Sequence, residues 1–247
     1  MLIASWNVNS IRARLERVTA WLKATQPDVV CLQELKAEEM PALDGYQHAA
    51  ACQKTYNDVA ILSKTRISDV VCGDGVEDGQ ARLIAGTVGG LRILSVYAPN
   101  GQSVGTDKWH YKLAWLERLR AHLDKHYDRN TPLVMAGDFN VAPEPRDVHD
   151  PQEWEPSVLY HPEARAAMAR VREFGLYDSF RLHHKDPGFY SWWDYRMLSF
   201  PKNRGLRIDQ IFVSEPLVAR CRQAWIDREA RKGKLPSDHA PILATVD

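Results

Sequence analysis

The chain has 247 residues, of which 45% are hydrophobic and 26% charged. This excludes a disordered or low-complexity protein and provides for a sizeable core. Lys+Arg and Asp+Glu both total 32, so the formal net charge is zero. Bulk charge therefore gives no case for a nucleic-acid partner, and any basic surface has to be local. Cys31, Cys52, Cys72 and Cys221 lie far apart with no CxxC pair, and read as buried free thiols in a reducing compartment. The opening "MLIASWNVNS" goes straight into a strand-like pattern instead of a signal peptide. No apolar window approaches membrane-spanning length. The expectation is a cytoplasmic monomer without a membrane partner, folded as one domain over residues 1–247.

In chain order, "LIASWNVN" predicts a first strand. Ile11, Leu15, Val18 and Leu22 then form a helical stripe with Ser10 as its cap. "PDVVCLQE" is a short apolar run of the kind covered on both faces. "DVAILS", "ARLIAGTV" and "LRILSVYAP" predict three more strands, the last two joined by Gly89–Gly90 as a hairpin. Residues 106 to about 128 predict the longest helix, with Trp109, Leu113, Leu116, Leu119 and Leu123 on its buried face. "PLVMAGDFN" predicts a strand, Pro162–Phe174 an alanine-rich helix, and "LRIDQIFVS" and "PILATV" two late strands. No linker or internal repeat interrupts this mixed α/β order.

Polar residues recur at the ends of these apolar strands: Asn7 and Asn9, Gln33 and Glu34, Asn100, Asp138 and Asn140, Asp209, and Asp238–His239. Residues two apart on a strand share a face, so Asn7/Asn9 and Asp138/Asn140 are each expected to present a pair to one cleft. For any one of them alone, closing a turn through its own backbone is the competing explanation. Asp209 is harder to explain that way. It lies between Ile208 and Ile211, where an unpaired carboxylate is costly, and His239 is its natural partner. Glu34, Asp138, Asp209 and Asp238 repel one another unless a cation joins them. Hard oxygen donors with few histidines suit Mg²⁺ or Mn²⁺ over Zn²⁺.

"SWNVNSIRAR", "VVCLQELK", "YAPNG", "GDFNVAP", "YSWWDYR", "NRGLRIDQIFVS" and "SDHAPI" stand in order from the first strand to the last. Together they resemble the exonuclease III family of AP endonucleases, within the wider endonuclease/exonuclease/phosphatase superfamily. The resemblance implies a DNase I-like four-layer α/β sandwich, with two mixed sheets face to face and helices outside. It implies Mg²⁺-dependent hydrolysis of duplex DNA at abasic sites and 3′ ends. It assigns Glu34 as principal metal ligand with Asn7 beside it and Asp238 near the metal. Asp138 would orient or deprotonate the attacking water, and Asn140 would hold that water or a phosphoryl oxygen. His239, held by Asp209, would bind the non-bridging oxygen, and Tyr111 matches the family's active-site tyrosine. Trp192, Leu206 and Ile208 match the wall of a pocket for a flipped-out abasic sugar. Substrate contacts are further expected from Arg12, Tyr56, Asn57, Asn100, Arg196, Arg204 and Arg207, with Lys202 adding charge.

Four departures from the pattern stand out. Asp58 replaces a glycine beside the Tyr56–Asn57 loop, where a carboxylate would repel a phosphate or point away. Leu35 stands for threonine and Ser10 for glycine, and "DVHDPQEWEPSV" is acidic. Two other readings remain open at this level: a phosphatase or phosphodiesterase of the same superfamily acting on lipid or small phosphoesters, and a non-catalytic DNA-binding module.

Overall fold

The structure, a computed structural model, describes residues 1–52, 57–76 and 78–247. In chain order the elements are β1 (Leu2–Asn7), α1 (Ile11–Thr25), β2 (Val29–Gln33), β3 (Gln47–Ala51), β4 (Val59–Ser63), β5 (Ser68–Cys72), β6 (Leu83–Val88) and β7 (Leu91–Tyr97). Then come α2 (Asp107–His126), β8 (Leu133–Asp138), α3 (Pro151–Trp154), α4 (Pro162–Arg172), β9 (Leu176–Asp178) and α5 (Ser179–His183). The chain ends with β10 (Asp209–Ser214), α6 (Glu215–Val218), β11 (Cys221–Ile226) and β12 (Ile242–Val246). Among the described residues the strands form two six-stranded mixed sheets. The first runs β11, β12, β1, β2, β4, β3, and the second β5, β6, β7, β8, β10, β9.

Strand alternation explains the layering. Ile3 and Val29, Cys31, Val59 and Ile61 of the first sheet pack against Ile84, Ile93, Val134, Ala136, Ile211 and Val213 of the second. Their neighbours Ala4, Trp6, Val30 and Leu32 point the other way, under Val18, Trp21 and Leu22 of α1. Leu94, Val96, Leu133 and Met135 meet α2 and α4 on the outer face of the second sheet. Successive residues of one strand thus serve two cores, which is why the inner strands read as unbroken apolar runs. Ser10 caps α1 by accepting from the Ala13 N–H at 3.3 Å. Gly89 and Gly90 both take positive φ in the β6–β7 turn. Gly137 is required by close approach, since a Cβ there would lie 1.9 Å from the Val96 carbonyl oxygen on β7.

Pairing direction positions the site. β1 runs parallel to β2, and β7 parallel to β8. β12 runs antiparallel to β1, and β10 antiparallel to β8. The register sets Asn7 beside Gln33, and Asp138 between Tyr97 and Asp209. The C-terminal ends of β1, β2, β7 and β8 and the N-terminal ends of β10 and β12 therefore share one edge of the sandwich.

Three expectations need correction. Arg207 is not a phosphate contact: it is 1% exposed. Its Nε donates to Asp147 Oδ1 and its Nη2 to Asp178 Oδ2, both at 2.7 Å. Arg181 also donates to Asp147. The segment before β10 alternates, so its odd residue turns into this buried ion cluster while Leu206 and Ile208 turn into the apolar core. Leu206 and Ile208 are themselves 0% and 1% exposed, so they back the wall instead of forming its open surface. All four cysteines are free, but Cys72 is exposed, because β5 is an edge strand with one open face. No helix among the described residues is long and apolar enough to cross a membrane.

Removing one member of a buried ion cluster leaves its partners desolvated and unpaired. Arg207→Met should therefore lower unfolding stability by about 3–5 kcal/mol in urea titration. A surface phosphate contact would instead weaken DNA binding with little loss of stability.

Candidate active site

Asn7 ends β1 with its side chain between the two sheets. Its Nδ2 donates to Glu34 Oε1 at 2.9 Å and to Asp138 Oδ2 at 3.0 Å. Asn9 does not extend the strand; it has φ 45°, so the shared-face rule does not pair it with Asn7. Instead its N–H donates to Asn7 Oδ1 at 3.0 Å. Asn140, at φ 51°, repeats the arrangement by donating its N–H to Asp138 Oδ1 at 2.9 Å. The turn-closing and site-forming explanations of these residues thus hold together: the bond that closes the turn also orients the strand-end side chain.

Glu34, at φ 53°, turns out of β2. Its Oε1 also accepts from the Tyr97 hydroxyl at 2.7 Å, and Lys36 Nζ lies 2.9 Å from its Oε2. Burial by itself would raise its pKa, but the charge of Lys36 and the bonds from Asn7, Tyr97 and Lys36 hold it below the usual value. Lys36 also donates to Asn9 Oδ1 at 2.7 Å, and Asn9 Nδ2 to Asp238 Oδ1 at 2.9 Å. Asp238 Oδ2 accepts from Trp192 Nε1 at 3.0 Å. A chain of contacts therefore runs from Glu34 to Asp238.

His239 is 4% exposed, and its Nδ1 meets Asp209 Oδ2 at 2.8 Å, as expected from the sequence. Its Nε2 lies 3.7 Å from Asp138 Oδ2. Burial would lower the His239 pKa, but the charge of Asp209, then of Asp138, and the bond to Asp209 push it up to about 10. Burial and the charge of Asp209 push Asp138 up to about 7, against the pull of His239, Asn7 and Asn140. Ser191 completes the support. Its Oγ donates to Asp209 Oδ2 at 2.6 Å and accepts from the Ile208 and Asp209 N–H groups.

Donor chemistry tests what this cluster can hold. Ligand atoms of Asp138, Asp209 and His239 lie within 4.8 Å of one another, but the Asp209–His239 bond already joins two of them. Glu34 and Asp238 add carboxylate oxygens joined to this group through Asn7 and Asn9, with Asn7 Oδ1 already accepting from the Asn9 N–H. A set of oxygen donors with one imidazole, itself held by a carboxylate, fits a hard divalent cation.

Other expected residues lie farther out. Tyr111, the expected active-site tyrosine, makes no bond to the acid cluster here: its hydroxyl donates to Asp78 Oδ2 at 2.7 Å, at the rim of a cavity it shares with Tyr97. The tyrosine bonded to the cluster is Tyr97, which pairs with Asp138 in the parallel ladder and donates to Glu34, whereas Tyr111 sits on the first turns of α2. A cavity of about 590 Å³ lies between them, lined by Asn57, Arg82, Tyr97, Asn100 and Tyr111 among others. Asn100 is braced internally, its Nδ2 donating to Asn140 Oδ1 at 3.1 Å. Tyr56 lies outside the described residues. Asp58 is fully buried and accepts from the Ala37 N–H at 3.2 Å, so it props the Glu34 loop and does not face a phosphate.

Trp193 is buried, while Trp192 is half-buried with its ring against Trp154. Gly205 permits this, since a Cβ there would meet the Trp192 carbonyl oxygen at 2.7 Å. Arg12 and Arg204 are exposed, and Arg196 is exposed but paired with Asp194. Sequence reasoning missed Tyr97, Ser191, Lys112 and the exposed pair Met197 and Leu198, which are 76% and 65% exposed. Nothing in the aromatic-rich run Tyr190–Phe200 marked these two as exposed, since large apolar residues there read as packing.

A model of the endonuclease/exonuclease/phosphatase family matches residues 4–239. Exodeoxyribonuclease III of Haemophilus influenzae is 34% identical over 264 residues, covering 99% of both chains. An AP endonuclease structure from Archaeoglobus fulgidus superposes with a TM-score of 0.97 at 38% identity, covering 100% of this chain and 99% of that one. A Neisseria 3′ phosphatase bound to a product DNA hairpin gives the same TM-score, identity and coverage. With its acid cluster at the shared edge of two sheets, this chain belongs to the endonuclease/exonuclease/phosphatase family.

Proposed function

We propose that this DNA-repair nuclease incises duplex DNA at abasic sites and clears 3′ ends, as a 3′→5′ exonuclease and 3′-phosphodiesterase or phosphatase, using Mg²⁺, with Mn²⁺ as a substitute. One observation carries the reading: the buried Asp138 carboxylate has Asn7, Asn140 and His239 converging on it. Glu34, Asn7 and Asp238 would hold the metal, which offsets phosphodiester charge when bound. Asp138, pushed up to about 7, is matched to taking a proton from water near neutral pH. Asn7 and Asn140 fix its orientation. The His239 imidazolium, anchored through Nδ1, offers Nε2 to a non-bridging oxygen and stabilises the charge that builds there. Asp209 keeps that ring charged and Ser191 keeps Asp209 in place.

The half-buried face of Trp192, backed by Leu206 and Ile208, suits a deoxyribose without a base, whose extrusion forfeits no base stacking. Met197 and Leu198 have the exposure and chemistry of a wedge between base steps beside the lesion. Arg12, Arg196, Arg204, Asn57 and Asn100 would contact the backbone and set register. The similarity to an AP endonuclease and to a DNA-bound 3′ phosphatase supports both substrate classes.

Glu34→Gln and His239→Ala should each cut abasic-duplex incision by roughly 10²–10³-fold with the circular dichroism spectrum unchanged. EDTA should abolish cleavage and Mg²⁺ restore it. A gel comparing an abasic duplex, a recessed 3′ end and single-stranded DNA tests substrate class. Equal rates for the variants, or turnover of small phosphoesters with no action on duplex, would refute the reading.

The His239 ring should stay protonated in EDTA at pH 8 and titrate near pH 10 by NMR. Its raised pKa contributes stability that is complete below about pH 6.5 and is lost as pH rises through about 10. Asp209→Asn should lower the ring's pKa, because the largest of the charges that raise it against burial is then gone. A wild-type ring that titrates near 6.5 would contradict the ion pair.

A further inference from the structure

Lys112 is a charged residue on α2, yet it is fully buried. Its ammonium has three hydrogens and three acceptors: the carbonyl oxygens of Asn100 at 3.1 Å, Asn140 at 2.7 Å and Val158 at 2.6 Å. These come from the segments after β7, after β8 and before α4. A buried ammonium is costly unless every hydrogen is used; burial pushes the Lys112 pKa down to about 7 against the charge of Asp138, and its three carbonyl partners are those of the charged form. Here two of the three acceptors belong to the amide pair behind Asp138. Asn100 Nδ2 donates to Asn140 Oδ1 at 3.1 Å, Asn140 Nδ2 donates to the Ala98 carbonyl at 3.0 Å, and the Asn140 N–H donates to Asp138. Asn140 holds this arrangement at φ 51°, a left-handed conformation that asparagine tolerates better than most residues. The contact between Lys112 Cδ and Gly101, where a Cβ would lie 3.0 Å away, shows how closely the loop wraps the lysine stem.

We infer that Lys112 is a positioning residue for phosphodiester hydrolysis: its ammonium clamps the Asn100 and Asn140 backbones so that Asn140 holds the Asp138 carboxylate at the angle the reaction needs. The inference rests on the nuclease activity but assigns Lys112 no contact with DNA or metal. Loss of the clamp therefore acts chiefly on turnover, through Asn140 and Asp138, with a smaller effect on affinity through Asn100.

The test uses full-length Lys112→Met, Lys112→Gln and Lys112→Arg. On an abasic duplex with saturating Mg²⁺, the Met variant should lose roughly 10- to 100-fold in kcat, with KM within about threefold of the parent. Lys112→Arg, which keeps charge and donors, should recover part of the loss. If the Met variant does not fold, the Gln variant carries the same test. In ¹H–¹⁵N spectra without DNA, the side-chain amides of Asn100 and Asn140 should shift in the Met or Gln variant and return toward the parent positions in the Arg variant. A folded Met or Gln variant with kcat within twofold of the parent, or with both amides unmoved, overturns the inference. A parent protein that cleaves no DNA would instead count against the nuclease reading, and the amide spectra still decide the clamp.

Discussion

The side-chain amide of Asn7 is where the two sheets become one site. One of its hydrogens goes to Glu34 beyond β2 and the other to Asp138 at the end of β8. The donor is neutral, so it joins two carboxylates without cancelling either charge. That fixes the electrostatic problem the surrounding residues must solve. Lys36 answers it on the Glu34 side and His239 on the Asp138 side. An aspartate at residue 7 would add a third carboxylate between two others, and an aliphatic residue would leave both acids without their shared donor. The sandwich can be assembled by apolar burial alone, but the aim of its acids at one point depends on this bond.

Local backbone geometry serves the same end. Asn9, Glu34 and Asn140 all follow strand ends, and all have positive φ, at 45°, 53° and 51°. A strand continued in extended form would carry each side chain past the edge of the sheet. The left-handed turn folds it back over the end. Non-glycine residues in that region are strained and persist where neighbours hold them. The neighbours here are the contacts of the site itself: Lys36 and Tyr97 on Glu34, Asp238 on Asn9, Asn100 and Lys112 on Asn140.

The eight strands predicted from apolar pattern, β1, β2, β4, β6, β7, β8, β10 and β12, are the inner strands of the two sheets. The four without a prediction, β3, β5, β9 and β11, are the edges. An inner strand is covered on both faces and must be apolar throughout. "QHAAA" of β3 and "SDVVC" of β5 face solvent enough to carry no such demand. The acids and amides of the site were legible because polar residues at the ends of buried strands are costly without a purpose. Tyr97 escaped notice because a tyrosine at a strand end looks like ordinary packing, and its role follows only from parallel register with β8. Arg207 and Lys112 were misread or unread for the opposite reason. A cation in sequence looks like surface, and only the fold reveals the carboxylates and carbonyls that make its burial tolerable.

That distinction bears on how a chain of zero net charge holds a polyanion. Arg207 and Arg181 are committed to Asp147 and Asp178 inside the protein. Arg14 and Arg17 bond to carbonyls that fasten α1 to the segment from Ala230 to Pro236. Arg196 shares its charge with Asp194. Arg12, Lys202 and Arg204 remain exposed and, among the described residues, without a carboxylate partner. Cations left free in this way can meet phosphates and set register without reading sequence. In the proposed reading, shape supplies the rest: the half-buried Trp192 face and the exposed Met197–Leu198 pair suit DNA that bends or lacks a base. A neutral composition thus leaves room for local basic surface, and where each cation is committed matters more than how many there are.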